Sequence, residues 1–340
     1  MIMEASFELF GLTGYRLGLC AAVGMLALFA AMLLLAKKRN VQPASVCVLT
    51  LTGTVLGIVS ARLLYCLVNL SDFRDAYENL WLTLRFFDGG LSLSGLLVGL
   101  LLAVLLTAAI TGEKSAELLD ILCVPMGLLL CALYLGQQDT GLGIGKIVEE
   151  GRMTEVFPWL FLCERMGVNV EYRMLVYLYQ AILSSMIAVL MIAVYLSAQK
   201  KAGFRSGETG WLSLALYGAA MVVLESLRDD GHMQMIFLRI GQVVAALLPI
   251  IAIILLSSRL NRMLGKVSGK SVFSWLAILV FVAGIVVLEF ALDGRLPVTG
   301  LTTGHFYLLM ILICLLAAVA ACMLYSSVRK LRSAVQPLQQ

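Results

Sequence analysis

The feature that most constrains this chain is a series of apolar runs, each long enough to cross a membrane. A helix needs about twenty apolar residues to span the hydrocarbon core of a bilayer. The runs that meet this length are residues 15–36, 46–69, 91–111, 117–136, 174–198, 208–228, 235–257, 272–292 and 305–326. Because only helices and closed barrels satisfy their backbone hydrogen bonds in lipid, runs of this length indicate helices. The sequence therefore predicts an all-α, polytopic integral membrane protein with about nine transmembrane helices.

Composition narrows the possible function classes. Of the 340 residues, 61% are hydrophobic and only 14% are charged, which is far more apolar surface than a soluble domain needs. Most of the eight cysteines lie in the predicted spans and show no metal-ligand spacing, as is typical of small packing residues. We therefore expect no metal site, no cofactor and no nucleic-acid partner.

Lysine and arginine residues predict the orientation in the membrane. They concentrate in alternate loops, at 37–39, 200–205 and 259–270, and again near the C-terminus at 329–332. Basic loops stay on the cytoplasmic side of the membrane. We therefore expect the N-terminus outside and the C-terminus in the cytoplasm. On the outer side, residues 71–90 predict an interfacial helix, and the longer loop at 137–172 predicts a small external cap.

Several charged or polar side chains lie inside the apolar spans at one depth, just below the outer surface. They are Arg62, Glu225, Arg228, Arg239 and Gln242. Charges inside a membrane are unfavourable and usually functional. The planar donor fork of arginine matches phosphate oxygens, and a phospholipid head group is the anion available at this depth. The pattern favours a head-group site, although each arginine could instead extend to the interface independently.

A glycine-containing segment follows the predicted interfacial helix. Asp88, Gly89 and Gly90 stand at the outer rim of the third span, where glycines let the backbone turn and expose N–H groups to an anion. Gly95 and Gly99 are four residues apart and therefore share one helix face. Such a face permits close approach of a neighbouring helix or of a lipid.

Four short segments, taken in order, resemble the prolipoprotein diacylglyceryl transferase family over roughly residues 10–258. "ARLLYCL" at 61–67 resembles the family segment Gly-Arg-x-x-Tyr, and "FDGGLSLSGLLVG" at 87–99 resembles Trp-Asp-Gly-Gly-x-Ser-x-His-Gly-Gly-x-x-Gly. "YGAAMVVLESLR" at 217–228 resembles Tyr-Gly-x-x-Arg-x-x-x-Glu-x-x-Arg, and "GQ" at 241–242 resembles the Gly-Gln that follows it.

This resemblance implies a seven-helix core in the bacterial inner (cytoplasmic) membrane, with its active site facing the outer leaflet. The family transfers diacylglycerol from phosphatidylglycerol to the thiol of a lipobox cysteine in a secreted prolipoprotein, and glycerol phosphate leaves. The partners implied are phosphatidylglycerol, prolipoprotein signal peptides and the membrane. Residues 1–258 would then form the core. Residues 259–340 would add a basic linker at 258–271, two further spans and a basic cytoplasmic tail. The two further spans lie outside the resemblance and could dock a partner, extend a side wall, or face lipid with Glu289 near an acidic outer rim.

The resemblance and the intramembrane charges together give a set of candidate site residues. The candidate head-group residues are Arg62, Asp88, Gly89, Gly90, Gly95, Tyr134, Gln137, Arg239 and Gln242, and the candidate catalytic residues are Ser94, Glu225, Arg228 and His232. Several of these depart from the family pattern. Ser94 stands where the family has histidine, Tyr134 and Met221 where it has arginine, and Gln137 where it has asparagine. Arg239 could replace a missing positive charge, and His232 could replace the missing base.

Three accounts fit these departures. The chain could be a divergent transferase with a rebuilt site, or a phospholipid- or lipoprotein-binding membrane relative that no longer catalyses transfer. The intramembrane charges could also mark a transporter path. The sequence has no inverted repeat and no pair of spans broken by proline and glycine, so the transporter account has the least support.

Overall fold

The computed structural model describes residues 7–9, 12–70, 90–166, 169–199, 204–235, 238–296 and 300–335. Its helices are α1 (Arg16–Arg39), α2 (Pro43–Val68), α3 (Leu93–Thr111), α4 (Ser115–Cys123), α5 (Met126–Leu135), α6 (Arg152–Val156), α7 (Val176–Gln199), α8 (Glu208–Leu227), α9 (Ile240–Leu264), α10 (Gly269–Leu292) and α11 (Thr303–Val335). Within the described ranges, nine helical segments are long and apolar enough to cross a membrane, with α4 and α5 counting as one. The predicted all-α polytopic membrane fold is confirmed.

The helix bounds differ most from the predicted spans towards the C-terminus. The seventh span begins at Ile240 rather than 235, because a two-residue strand β6 (Gln234–Met235) pairs with β7 (Leu238–Arg239). Helix α9 then continues to Leu264, so the loop before α10 is residues 265–268 rather than the predicted linker 258–271. The basic residues expected in a C-terminal tail, 329–332, instead lie in the last turns of α11.

The segment predicted as an external cap contains a small antiparallel sheet. Strands β3 (Ile144–Val148), β4 (Phe161–Met166) and β5 (Asn169–Leu175) pair in the order β3–β5–β4. A separate hairpin of β1 (Phe7–Leu9) and β2 (Leu12–Gly14) precedes α1. The interfacial helix predicted at 71–90 lies outside the described residues, apart from Gly90.

Helices α2 and α3 pack closely because glycines remove the side chains between them. A Cβ atom on Gly95 would lie 2.7 Å from Ala61 Cα and would also meet the Ser60 carbonyl oxygen. A Cβ atom on Gly99 would lie 2.7 Å from Gly57 Cα. Gly95, predicted above as a head-group residue, therefore meets the backbone of α2 rather than a lipid. This geometry assigns it to helix packing.

Helix α8 is a central element, packed against α4, α7, α9 and α11. Its N-terminus is capped from a distance, since Asp120 on α4 accepts hydrogen bonds from Gly207 N at 2.7 Å and Gly210 N at 2.6 Å. A carboxylate at this end satisfies unpaired N–H groups and complements the helix dipole. The buried Asp120 therefore fixes the position of α8, whose other end carries the candidate site.

The two additional helices, α10 and α11, pack against the seven-span core. On the side of the predicted cytoplasmic loops, Arg332 Nη2 and Nη1 donate to the two carboxylate oxygens of Glu208 at 2.7 and 3.1 Å. Arg259 Nη1 approaches the same carboxylate at 3.4 Å. Because the Glu208 side chain is only 1% exposed, this bidentate pair fixes the end of α11 to the start of α8.

Candidate functional site

The turn after α8 brings four charged side chains together. Arg228, the residue after the last turn of α8, donates from Nε and Nη2 to Asp230 Oδ2 at 3.0 and 2.6 Å. Its Nη1 donates to Glu225 Oε1 at 3.3 Å. Arg239, at the start of α9, donates from Nη1 to Asp230 Oδ1 at 3.4 Å. Two of the three predicted head-group arginines therefore converge on one carboxylate.

The cap holds this turn in place through backbone hydrogen bonds. Gly143 N donates to Asp230 Oδ2 at 2.7 Å, and Asp229 N donates to Ile144 O at 2.9 Å. Gly143 and Gly231 both have positive φ, at 73° and 65°, a conformation that glycine adopts without strain. The position of Asp230 is therefore set jointly by α8, the cap and α9.

The charges of this cluster stabilise one another. Burial alone would raise the pKa of Asp230, but the charge and hydrogen bonds of Arg228, with the N–H groups of Gly143 and His232, lower it below its usual value. Burial alone would lower the pKa of Arg228, and Glu225 and Asp230 raise it instead. Both side chains are therefore ionised at neutral pH, so the site keeps a fixed arrangement of charges.

The third predicted arginine lies on the rim formed by α2 and the start of α3. Arg62 is 2% exposed, and its Nη1 donates to the Gly90 carbonyl oxygen at 3.3 Å. Its guanidinium also lies 5.9 Å from the centre of the Tyr65 ring. Gly90 has φ +65°, and a Cβ atom there would lie 2.8 Å from the Tyr65 ring, so the rim requires glycine at this position.

His232 connects the rim to the charged turn. Its ring stacks on Tyr65 with centroids 5.6 Å apart, and the ring donates a hydrogen bond to the Leu91 carbonyl oxygen. Its backbone N donates to Asp230 Oδ1 at 3.2 Å. Burial, followed by the Arg228 charge, lowers the pKa of His232 below 6.5. The imidazole is therefore neutral at pH 7, the form that can accept a proton.

A narrow cavity lies beneath the charged turn, between α3, α5, α8 and α9. Ser94, Tyr134, Tyr217, Met221 and Glu225 contribute to its lining. Tyr134 Oη lies 2.9 Å from Tyr217 Oη and 3.6 Å from Met221 Sδ. The space measures about 20 Å³, which is room for about one water molecule. A lipid head group does not fit in this cavity, so it would have to bind at the rim above.

Two buried glutamines approach the same cluster. Gln180 Nε2 on α7 donates to Glu225 Oε1 at 2.8 Å. Gln137 lies against Gly143, since a Cβ atom on that glycine would be 3.0 Å from Gln137 Oε1. The amide oxygens of both glutamines are buried without a hydrogen-bond partner among the described residues. Buried acceptors usually have a donor, so the two oxygens mark places where a hydroxyl or water would be stabilised.

Gln242 on α9 faces away from the cavity towards α10. Its Nε2 donates to Glu289 Oε1 at 2.6 Å and also approaches the Val222 carbonyl oxygen at 3.4 Å. On α11, Tyr307 Oη donates to the Ser226 carbonyl oxygen at 3.2 Å. Glu289 therefore contacts the core through Gln242, while its side chain stays half-buried at the end of a groove between α9 and α10. The additional helices therefore reach the candidate site.

The structure brings most of the predicted site residues into one region, but not into one layer. Arg62, Gly90 and His232 form the rim, and Glu225, Arg228 and Arg239 surround Asp230. Ser94 and Tyr134 line the cavity. Gln137 lies beside Gly143, and Gln242 lies beside Glu289. Gly95 is apart from them, in the α2–α3 contact. Asp88 and Gly89 lie outside the described residues.

Sequence reasoning missed three residues of this region. Asp230 was overlooked because it follows α8 in a polar turn and not inside an apolar span. Gln180 lies within the fifth span, where an uncharged polar residue gives a weak signal. Tyr65 belongs to the segment at 61–67 that carries the resemblance, so the motif was the signal that could have identified it.

Comparison with known proteins gives a consistent answer. The family model described as prolipoprotein diacylglyceryl transferase matches residues 4–258. A phosphatidylglycerol–prolipoprotein diacylglyceryl transferase of Thermotoga petrophila is 31% identical over 214 residues, covering 60% of this chain and 65% of the relative. A protein of the same name from Nostoc sp. is 29% identical, covering 62% of this chain and 73% of the relative. The relative named phosphatidylglycerol–prolipoprotein diacylglyceryl transferase 1 from Clostridium perfringens is 24% identical, covering 75% of this chain and 93% of the relative.

The chain belongs to the prolipoprotein diacylglyceryl transferase family. The family match includes the rim, the charged turn and the cavity, and it ends within α9. Helices α10 and α11 lie beyond it. The aligned region covers just under two thirds of the length of the Thermotoga relative, at 65%.

Three of the residues expected to depart from the family pattern lie close together. Ser94, Tyr134 and Met221 all line the cavity, together with Glu225. Tyr134 Oη contacts both Tyr217 Oη and Met221 Sδ. The described lining of the cavity is therefore mostly uncharged, with Glu225 as a charged member.

Proposed function

We propose that this protein is a phosphatidylglycerol–prolipoprotein diacylglyceryl transferase of the bacterial inner membrane. The observation that carries the proposal is the convergence of arginines in the outer site. Arg228 and Arg239 meet at Asp230 and Arg62 lies at the rim, so the region brings together three guanidinium groups, whose planar donors match phosphate oxygens. A phosphodiester carries one negative charge, so a phosphatidylglycerol head group would complement the site.

The reaction would use these groups as follows. His232, neutral at pH 7, accepts the proton of the lipobox cysteine thiol. The thiolate attacks the diacylglycerol carbon that is bonded to the phosphate oxygen, so a C–S bond forms as the C–O bond breaks. The electron pair of the broken bond leaves with glycerol phosphate. Arginine donors stabilise the negative charge that develops on the leaving phosphate.

The orientation expected from the basic loops suits this chemistry. With the N-terminus outside, the cap, the rim and the charged turn all lie at the outer leaflet, where a secreted prolipoprotein would present its signal peptide. The Arg332–Glu208–Arg259 contacts would then lie at the cytoplasmic face.

A second candidate function is lipid binding without transfer. The observation that favours it is the lining of the cavity, where Ser94, Tyr134 and Met221 stand at positions that the resemblance matches to a histidine and two arginines. This protein would then bind phosphatidylglycerol or a prolipoprotein through the rim and release it unchanged.

Complementation separates the two candidates. The chain is expressed in a bacterial strain depleted of its own transferase, and the acylation of a reporter lipoprotein is measured by mass spectrometry. We expect diacylglyceryl modification with the unmodified chain and a strong reduction with Arg228→Lys, because an ammonium group cannot reproduce the bidentate fork. Arg295→Lys, at an exposed ion pair on the loop after α10, is the matched control and should acylate normally. Normal expression without acylation would favour the binding function.

A further inference from the structure

A groove between α9 and α10 has no counterpart in the family match, because α10 lies beyond it. Its apolar walls come from Val243, Ala246 and Ile250 on α9 and from Val282 and Val286 on α10. Gln242 and Glu289, which are hydrogen-bonded to each other, lie at one end. The groove is therefore polar at the end that carries the candidate site and apolar along the rest of its length.

The dimensions of the groove match a single hydrocarbon chain. From Gln242 to Ile250 it follows α9 for about 12 Å, at roughly 1.5 Å per residue. One leaflet of the hydrocarbon core is about 15 Å deep. The space of about 240 Å³ is smaller than the roughly 300–1,000 Å³ of sites that enclose a whole drug-sized ligand. One acyl chain fits this shape, and a complete lipid does not.

The groove begins beside the proposed head-group site. Gly241 faces Glu225, since a Cβ atom there would lie 2.8 Å from Glu225 Cδ, while the next residue, Gln242, faces the groove. Arg239, one turn earlier, contacts the charged cluster. A lipid whose phosphate lies near Arg239 could therefore place a chain directly down the outer face of α9.

We propose that the α9–α10 groove binds one acyl chain of the phospholipid whose phosphate Arg62, Arg228 and Arg239 bind, so that α10 forms a wall of the lipid site. This inference rests on the proposed function for the position of the head group. It gives the additional helices a role in holding the substrate lipid. The Gln242–Glu289 pair marks the boundary between the head-group region and the chain-binding region.

Photolabelling tests this directly with the unmodified chain. The protein is reconstituted in phosphatidylcholine vesicles that contain a trace of phosphatidylglycerol with a photoreactive group midway along one acyl chain. After irradiation, labelled peptides are quantified by mass spectrometry. We expect severalfold more label at the groove residues of α9 and α10 than at Leu26 and Leu34, which are each 68% exposed on α1 and report bulk lipid.

A second labelling experiment identifies which phospholipid supplies the acyl chain in the groove. Photoreactive phosphatidylcholine with the same acyl chain should label the groove no more than it labels α1. Equal groove labelling by the two lipids, or phosphatidylglycerol labelling of the groove at the α1 level, would overturn the proposal.

Two adjacent valines provide matched variants. Val286→Trp fills the groove and should abolish the excess labelling, whereas Val287→Trp, at a neighbouring exposed position that does not line it, should leave the labelling unchanged. Excess labelling that survives Val286→Trp would also contradict the proposal. Because labelling requires no transfer, loss of transferase activity with groove labelling intact would remove the proposed function alone.

Discussion

At the scale of single residues, Asp230 organises the candidate site. Both of its carboxylate oxygens accept hydrogen bonds from arginines on different elements, and one also accepts from the cap. Its side chain is only 2% exposed. An anion held in this way keeps Arg228 and Arg239 at one level and offsets part of their charge.

Asp230→Asn should destabilise the protein strongly, because it leaves Arg228 and Arg239 buried with half of their compensating charge removed. We expect the free energy of unfolding to fall by about 3–5 kcal/mol. Denaturant unfolding in detergent measures this. Asp229→Asn is the matched control, since the Asp229 side chain is 52% exposed and its pair with Arg173 is long, at 3.8 Å. That variant should change stability by less than about 1 kcal/mol. Equal losses in both variants would contradict the role of Asp230.

The same carboxylate predicts a dependence of stability on acid. Because its pKa is lower in the folded protein than in the unfolded chain, the stabilisation is fully present above about pH 4 and is lost as the pH falls through the lowered value. The free energy of unfolding, measured between about pH 5 and pH 2, should therefore depend less on pH in Asp230→Asn than in the unmodified protein. Parallel profiles would show that the charge of Asp230 is not linked to folding.

His232 predicts a pH profile for transfer. Its pKa is lowered by burial and by Arg228, so a reaction that needs the neutral imidazole should lose activity only below pH 6.5. Transfer rates in vesicles measured across this range should show the acidic decline in the unmodified chain. They should be greatly reduced in His232→Gln at every pH. The chain has two histidines, and His305→Gln, which changes an exposed one, should leave the profile unaltered. An acidic decline in transfer rate that persists in His232→Gln would exclude His232 as the base.

The candidate site could be predicted from sequence only where a residue type was unusual for its surroundings. Arginines inside apolar spans are conspicuous, so Arg62, Arg228 and Arg239 stood out. Asp230 and Gln180 did not, because their importance comes from contacts made by residues distant along the chain. No local pattern indicates that Gly143 N will reach Asp230, since that contact depends on how the cap folds over α8.

At the scale of elements, the contact between α2 and α3 fixes the rim. Gly95 and Gly99 let the two helices approach until backbone meets backbone, which positions Arg62 on α2 opposite Gly90 at the start of α3. Hydropathy alone predicted both helices, because long apolar runs have no other stable form in lipid. The strands of the cap were not predicted, since β3 pairs with β5 across more than twenty residues of intervening chain.

Gly95→Ala should weaken this contact, because the new methyl group would press on the Ser60 carbonyl and the Ala61 backbone. We expect a loss of about 1–3 kcal/mol in the free energy of unfolding, together with weaker phosphatidylglycerol binding at the rim. Gly18→Ala is the control, as its Cβ would meet nothing within 4 Å on helix α1. It should be neutral or slightly stabilising, because alanine favours helix over glycine. An unchanged stability in Gly95→Ala would show that the helices are free to separate.

At the scale of the whole molecule, α10 and α11 are attached to the core at both ends. Glu289 and Tyr307 contact the core near the candidate site, and Arg332 binds Glu208 at the opposite end. Resemblance to the family could not predict this arrangement, because the family match stops before these helices begin. The contacts explain how an addition outside the family fold can act on the site.

Arg332→Ala should loosen α11 from the core, since among the described residues Glu208 would keep only the longer contact with Arg259. The free energy of unfolding should fall by about 3–5 kcal/mol, as expected when one partner of a buried ion pair is removed. Lys330→Ala, two residues earlier at an exposed position on the same helix, should change it by less than about 1 kcal/mol. Comparable stability in the two variants would show that the Glu208 pair does not anchor α11.

We propose that the rim and the charged turn catalyse transfer although Ser94, Tyr134 and Met221 line the cavity beneath them. The most direct measurement uses purified protein in phosphatidylglycerol vesicles with a synthetic peptide that carries one lipobox cysteine. Mass spectrometry of the peptide should show a diacylglyceryl thioether on that cysteine, with glycerol phosphate released in equal amount. An unmodified peptide, in vesicles where the protein is folded and binds phosphatidylglycerol, would contradict the account.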